Sequence, residues 1–261
     1  MPRFAANLTM LFTEVPFLER FAAAQKAGFR SVEFLFPYAY SVSEIQSRID
    51  RHHLEVVLFN LPAGDWQAGD RGIAADPRRV EEFRDGVRQA IPWAKALGVP
   101  RLNCLAGKQV PGVSYGEQWK TLVENVRFAA QALGEAGLSL TVEALNHFDI
   151  PGAFLTRTEQ VLALLAEVDL PNVFVQYDVY HAQREEGNLV PTLREHLPRI
   201  GHIQIADSPG RHQPGTGEIN YRFVLGELDR LGYQGYVSLE YIPEPDTVSS
   251  LGWIREFGYQ L

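Results

Sequence analysis

The stretch Gly201-His202-Ile203-Gln204-Ile205-Ala206-Asp207 reads as a β-strand, because its β-branched residues favour extended backbone; alternation sends Ile203 and Ile205 to one face, His202 and Gln204 to the other. Alone, such a strand would be the half-solvated edge of an antiparallel sheet. Three other stretches repeat the pattern. Leu140, Val142 and Ala144 oppose Ser139, Thr141 and Glu143; Val173, Val175 and Tyr177 oppose Gln176 and Asp178; Val237, Leu239 and Tyr241 oppose Ser238 and Glu240. In each, the polar series ends at the C-terminal side in a residue able to bind a metal: Glu143, Asp178, Gln204 and Glu240. Four such endings predict strands that converge on one polar site.

Outward from these strands, short apolar runs alternate eight times with segments of helical period. Further strands are expected over 3–8, 31–36, 55–61 and 101–106, ahead of the four above. Helices are expected over 16–27, stopped by Gly28, and over 43–52, 116–135, 158–167, 190–197, 220–231 and 248–257. Another opens at Asp76-Pro77 and runs to about Leu97, with a kink or break expected at Pro92. Residues 61–72 are too rich in Gly and Pro for a regular element, and long loops in compact domains are commonly functional. Eight β-then-α units over 1–261 predict a single-domain α/β fold, a (β/α)8 TIM barrel. A doubly wound open sheet is the alternative, but it would pack both strand faces under helices and leave no shared polar interior. Leu8-Thr9-Met10-Leu11 also lacks the glycines of a dinucleotide-binding turn.

With 261 residues and 46% hydrophobic content, the chain can bury a sizeable core. The formal charge of −8, from 24 basic and 32 acidic residues without a Lys/Arg run, argues against nucleic-acid binding. The lone Cys104 excludes an intramolecular disulfide and a cysteine-cluster zinc site; it reads as core, and suits a reducing compartment. No 18-residue apolar stretch is present and Met1-Pro2-Arg3-Phe4 lacks a secretion signal's apolar region, so no membrane span and a cytoplasmic location are expected. Barrel enzymes commonly associate through helices and loops; a homo-oligomer is an expectation that no stripe of this sequence specifies.

At the C-terminal mouth of a barrel, Glu143, Asp178, Gln204 and Glu240 would meet around a half circle. Three converging carboxylates repel one another, and a divalent cation resolves the conflict. An all-oxygen donor set points to Mg²⁺ or Mn²⁺. The plain alternative pairs each carboxylate with its own Arg or Lys, and these strands carry no basic residue for it.

The ordered set Glu143, Asn146-His147-Phe148-Asp149-Ile150-Pro151-Gly152, Tyr177-Asp178-Val179-Tyr180-His181, His202-Ile203-Gln204, Pro214-Gly215-Thr216-Gly217-Glu218 and Glu240-Tyr241 resembles the hydroxypyruvate isomerase family of the xylose-isomerase-like TIM barrel superfamily. Ketose 3-epimerases and endonuclease IV-type DNA repair enzymes share that superfamily. The likeness extends over nearly the whole chain, from Phe4-Ala5-Ala6-Asn7-Leu8 and Asn60-Leu61-Pro62-Ala63-Gly64-Asp65-Trp66 onward. It implies a reversible aldose–ketose shift of hydroxypyruvate to tartronate semialdehyde through an enediolate. Glu143 and Glu240 would be metal ligands and the acid/base pair, Asp178 and Gln204 would complete coordination, His181 would sit near a substrate oxygen and Arg211 would contact substrate. A sugar-acid substrate needs a cationic anchor, for which the loops offer Arg71, Lys108 and Arg211.

The same resemblance leaves room for a 2-oxo-tetronate isomerase or a ketose 3-epimerase, although the sugar epimerases carry histidine where this chain has Gln204. The multi-metal endonuclease site is poorly supplied, since there are seven histidines and His52, His53 and His196 fall on helical segments. A non-catalytic sugar-acid binding protein is a further alternative. Gly215-Thr216-Gly217-Glu218 could cradle an anion or only shape the loop that holds Arg211, and Trp66 with Phe36-Pro37-Tyr38 could wall the pocket or pack beneath it.

Overall fold

The computed structural model describes residues 2–261 of the chain. Eight strands, β1 (Arg3–Asn7), β2 (Ser31–Glu33), β3 (Glu55–Asn60), β4 (Arg101–Leu105), β5 (Ser139–Glu143), β6 (Val173–Asp178), β7 (Ile200–Ile205) and β8 (Tyr236–Leu239), pair in chain order. Every neighbouring pair is parallel, and β1 pairs with β8, so the sheet closes on itself. Closure excludes the open doubly wound sheet. The connecting helices are α1 (Phe17–Ala27), α2 (Val42–His52), α3 (Val80–Leu97), α4 (Tyr115–Glu135), α5 (Thr158–Val168), α6 (Val179–Glu185), α7 (Leu189–His196) and α8 (Tyr221–Arg230), with α9 (Thr247–Ser250) and α10 (Gly252–Glu256) after the last strand.

The main core lies between the sheet and the helices, where Leu140, Val142, Val175, Ile203, Ile205, Val237 and Leu239 turn outward to meet helix residues such as Val126, Leu164 and Leu225. The opposite parity faces the barrel axis and is polar: Asn7, Glu33, Asn103, Thr141, Gln176, His202 and Ser238 are all buried. Each inward polar group therefore needs a partner inside the barrel.

Several elements depart from the sequence expectations for identifiable reasons. Pro92 lies inside α3, which runs unbroken from Val80 to Leu97. It sits on the exposed face, where water can replace the lost hydrogen bond, while Phe83, Val87, Ala90 and Ala94 bury the other face on both sides of it. Asp76-Pro77 forms a capped turn, Asp76 Oδ1 accepting from the Arg78 amide, and the helix starts only at Val80. The strand expected over 31–36 ends at Glu33, beside a register shift against β3. A helix that the sequence reading did not include, α6, follows β6 directly because Asp178 caps it, accepting from the amides of Tyr180 and His181. The closing helix expected over 248–257 is two short pieces parted at Leu251.

The long loop 61–72 is anchored where Gly72 meets the end of β4. Its φ is 107°, and a Cβ there would lie 2.2 Å from the Leu105 carbonyl oxygen, so only glycine fits. Among the described residues no helix is long and apolar enough to cross a membrane.

Candidate active site

The strands open at their C-terminal ends into a cavity of about 320 Å³, lined among others by Glu143, Gln176, His181, Arg211, Glu240 and Arg71. Asp178 and Gln204 lie directly beneath this lining, 3% and 2% exposed. The structure thus brings the four strand-end residues together on one polar floor, with His181 and Arg211 at its side.

The floor is a mesh of amides strung between carboxylates. Glu143 Oε2 accepts from Asn103 Nδ2 and Gln176 Nε2, both at 3.0 Å. Gln176 Nε2 also donates to Gln204 Oε1 at 2.7 Å, and Gln204 Nε2 donates to Glu240 Oε1 at 3.2 Å and Glu33 Oε1 at 2.8 Å. Asn7, Glu33, Asn103, Gln176 and His202 were not among the residues singled out from sequence as site candidates. The parity rule applied to β5–β8 also holds for Asn7, Glu33 and Asn60 at the ends of β1–β3 and for Asn103 within β4, and it is the signal that finds them.

The carboxylates resist ionisation. Burial, then the charges of Glu240 and Asp178, push Glu143 well above the ordinary carboxylate range, with Arg211 opposing. Burial also lifts Glu240, to about 8, because Asp178 and Glu33 add to it against the pull of Arg211. Asp178 is raised by burial, though Arg211 and the α6 amides restrain the rise. Glu33 differs. Burial would raise it too, but the His202 ring beside it and the hydrogen bond from Gln204 leave it below its ordinary value.

The absence of a basic residue on the strands does not leave every carboxylate unpaired, as the sequence implied. Arg211 reaches in from the loop after β7, its NH2 donating to Glu240 Oε2 at 2.7 Å and lying 3.7 Å from Asp178 Oδ2. It rests over the Tyr180 ring, with its carbon 5.1 Å from the centroid. The glycine loop beyond it is no anion cradle: the Gly215 and Ile219 amides both donate to Asp207, an internal carboxylate that fills the position.

Glu143, Asp178 and His181 each offer a ligand atom within 4.8 Å of the others, and Asp178 Oδ2 is buried without a hydrogen-bond donor among the described residues. An oxygen in that state, facing a second carboxylate, fits a cation. The hydrogen-bond pattern gives His181 another part. The Asn146 backbone N–H donates to His181 Nδ1 at 3.1 Å, and the orientation of the Asn146 amide is fixed because its oxygen accepts from the Asp149 amide at 2.9 Å. Burial, with Arg211 and Arg184 nearby, holds the ring's pKa well below the usual histidine value, so it is neutral. A neutral ring that accepts at Nδ1 carries its proton on Nε2, which then donates rather than ligates.

The expected anchors separate. Arg71 lines the cavity, its guanidinium 4.1 Å over the Trp66 ring and its NH1 donating to the carbonyls of Trp66 and Asp70. Lys108 does not line it. Its ammonium is occupied by the Gly69 carbonyl at 2.9 Å, pinning the long loop. Phe36 and Trp66, ring centroids 5.1 Å apart, wall the cavity, whereas Tyr38 packs away from it against Phe59 and Trp93. Cys104 is fully buried in the core.

The profile of the xylose isomerase-like TIM barrel family matches residues 21–257. The chain is 50% identical to the hydroxypyruvate isomerase of Escherichia coli over 98% of its length and 100% of that protein. It is 42% identical to the 2-oxo-tetronate isomerase of Cupriavidus necator, covering 98% of this chain and 99% of the other. A crystal structure described as an AP endonuclease, family 2, from Brucella melitensis superposes with a TM-score of 0.95 at 43% identity, covering 98% of this chain and 99% of that one.

Proposed function

Because the chain belongs to the xylose isomerase-like TIM barrel family, we propose that it interconverts hydroxypyruvate and tartronate semialdehyde as an aldose–ketose isomerase, through an enediolate. Its isomerase class follows from relatives matched over their full length. The observation that carries the mechanism is the pair Glu143 and Glu240, two buried carboxylates of raised proton affinity on one cavity floor. Groups tuned upward from the ordinary carboxylate range are suited to take a proton from carbon and to return it near neutral pH.

In the ketose-to-aldose direction one of the two glutamates removes a proton from the carbon that bears the hydroxyl. The other delivers a proton to the neighbouring carbonyl carbon, while the hydroxyl proton passes to the former carbonyl oxygen, so that the hydroxyl becomes the aldehyde and the ketone becomes the alcohol. Charge that gathers on the substrate oxygens in between is met by the His181 Nε2–H. Arg71, stacked on Trp66 and otherwise tied only to two carbonyls, holds the substrate carboxylate, with Arg211 as the second cation of the site. The apolar wall of Phe36 and Trp66 limits water around the enediolate.

Glu143, Asp178, Gln204 and Glu240 would hold a divalent cation, Mg²⁺ or Mn²⁺ by the hardness of the oxygen donors. Bound there, it would polarise the substrate's carbonyl and hydroxyl oxygens and offset the repulsion among the carboxylates. A 2-oxo-tetronate is the second substrate reading, favoured by the 42% identity to a 2-oxo-tetronate isomerase along the full chain. Nuclease chemistry is disfavoured, since of the seven histidines only His181 lines the cavity among the described residues.

The test is an isomerisation assay of purified protein with hydroxypyruvate, a 2-oxo-tetronate, a ketohexose and an abasic DNA duplex, each before and after EDTA. Turnover of a short oxo acid, lost with EDTA and restored by Mg²⁺ or Mn²⁺, is expected. Cleavage of the duplex, or turnover of the ketohexose alone, overturns the reading.

A further inference from the structure

Beneath the cavity lies a fourth carboxylate, Glu33, that the proposed chemistry does not use. It is 0% exposed, as is its partner His202, which comes from the opposite side of the barrel. His202 Nε2 lies 2.6 Å from Glu33 Oε2, while His202 Nδ1 has no hydrogen-bond partner among the described residues, so Glu33 is the ring's one polar engagement there. The other oxygen of Glu33 accepts from Asn7 Nδ2 at 2.9 Å and Gln204 Nε2 at 2.8 Å. The same two nitrogens donate to Glu240 Oε1, at 3.0 and 3.2 Å.

With Glu33 Oε2 engaged by His202, Glu33 Oε1 only accepts, and an amide that faces it must turn its nitrogen toward it. Glu33 therefore fixes which end of Gln204 is oxygen. That oxygen points away from Glu33, toward Gln176 Nε2 at 2.7 Å, on the side where Glu143 is held by the same Gln176 nitrogen. Gln176 occupies one of its two lone pairs. The distinction matters because a carboxamide ligates a hard cation through oxygen and not through nitrogen.

We propose that Glu33, clamped by His202, is a positioning residue that locks the Gln204 amide with its oxygen toward the Glu143–Asp178 side of the floor. The inference rests on the reading above that a divalent cation binds there. In Glu33→Gln the retained oxygen would stay with the His202 N–H, leaving the new NH2 group against Asn7 Nδ2 and Gln204 Nε2. Donors would face donors. Gln204 relieves this by turning over, which presents its nitrogen to the cation and sets its oxygen against Glu240 Oε1.

The experiment is calorimetric titration of EDTA-treated full-length protein with Mn²⁺, beside a thermal melt that confirms each variant is folded. Glu33→Gln is expected to weaken Mn²⁺ binding by about 10–100-fold, the usual cost of disturbing a residue that orients a ligand. Adding Gln204→Glu to it, which puts oxygen at both ends of the side chain, is expected to recover much of the loss. Unchanged affinity in folded Glu33→Gln overturns the proposal while leaving the cation reading intact; wild-type protein that binds no Mn²⁺ overturns both. Should the variant not fold, a crystal structure of the Mn²⁺-loaded wild type decides. Gln204 Oε1 on the ion with Nε2 on Glu33 supports the proposal, and any other orientation of that amide overturns it.

Discussion

Glu33 and Glu240 share the same two amide donors, Asn7 and Gln204, and both are buried, yet one is held below the ordinary carboxylate range and the other is lifted to about 8. Burial raises both. The difference lies in their partners: Glu33 has the His202 ring at 2.6 Å, whereas Glu240 faces the charges of Asp178 and Glu33 with Arg211 alone in opposition. Within one barrel interior, depth does not decide ionisation; the balance of neighbouring charge does. A matched layer thus lies under a mouth where negative charge exceeds what the protein neutralises. On our reading the first is scaffold and the second is the seat of proton transfer.

That contrast predicts opposite behaviour for isosteric changes in the two layers. Glu143→Gln and Glu240→Gln should each lower turnover by about 10²–10⁴-fold or more, the range of a lost general acid or base, while the melting temperature at neutral pH stays level or rises. Glu33→Gln should instead lower stability, by about 1–3 kcal/mol for the unsatisfied contact it creates. Steady-state kinetics with melts on the same preparations checks both, and a mouth variant that unfolds while retaining its rate would erase the distinction.

Next in size is His181→Gln. As a donor to substrate oxygen the ring should be worth about 10²-fold in kcat, by comparison with other single donors to a developing oxyanion. Mn²⁺ affinity should be unchanged, because the Nε2 proton excludes it from the coordination set. A loss of metal binding in this variant would make His181 a ligand. A smaller effect is expected of Arg71→Met, whose loss of a charged hydrogen-bonding anchor should raise KM for the acid by roughly tenfold with little change in kcat. Lys108→Met, its ammonium already committed to Gly69, should leave KM alone.

The pH dependence sharpens the comparison further. Glu240 has its folded pKa raised from 4.5 to about 8, so between those values the folded chain holds a proton that the unfolded chain has lost. Its contribution to stability therefore falls as pH rises through that window. For Glu33, lowered on folding, the contribution is present above the unfolded value and is lost as pH falls through the folded one. Melts of EDTA-treated protein from pH 5 to pH 8 should show a decline that is shallower in Glu240→Gln. Saturating Mg²⁺ should flatten it too, because the cation and the proton compete for the same carboxylates. An identical slope in wild type and Glu240→Gln would remove Glu240 as its source.

The closed barrel was legible in the sequence because each strand declares its two faces: Ile203 and Ile205 against His202 and Gln204, and likewise along β5, β6 and β8. The four strand-end donors followed from the same alternation. What it could not give was the pairing of Glu33 with His202, groups separated by 169 residues whose contact depends on barrel closure. Nor could it give the orientation of Arg211, which arrives from a loop and takes a positive φ of 58° to do so. Asp178 escaped full reading because it serves twice, one oxygen capping α6 and the other on the floor, 3.7 Å from Arg211 and without a hydrogen-bond donor among the described residues. Pro92 misled for the opposite reason: the local rule was sound, but burial of the other face of α3 outweighed it.

Proton exchange at carbon reports on the two-glutamate floor most directly. Hydroxypyruvate incubated with the Mg²⁺-loaded protein in D2O and followed by proton NMR should lose the signal of its hydroxyl-bearing carbon as deuterium enters and the aldehyde forms. The aldehyde should form with neither Glu143→Gln nor Glu240→Gln, and the exchange should be lost in the one of the two that lacks this carbon's base. Unlabelled, unreacted hydroxypyruvate beside the wild-type protein, or full exchange in both variants, would contradict the account.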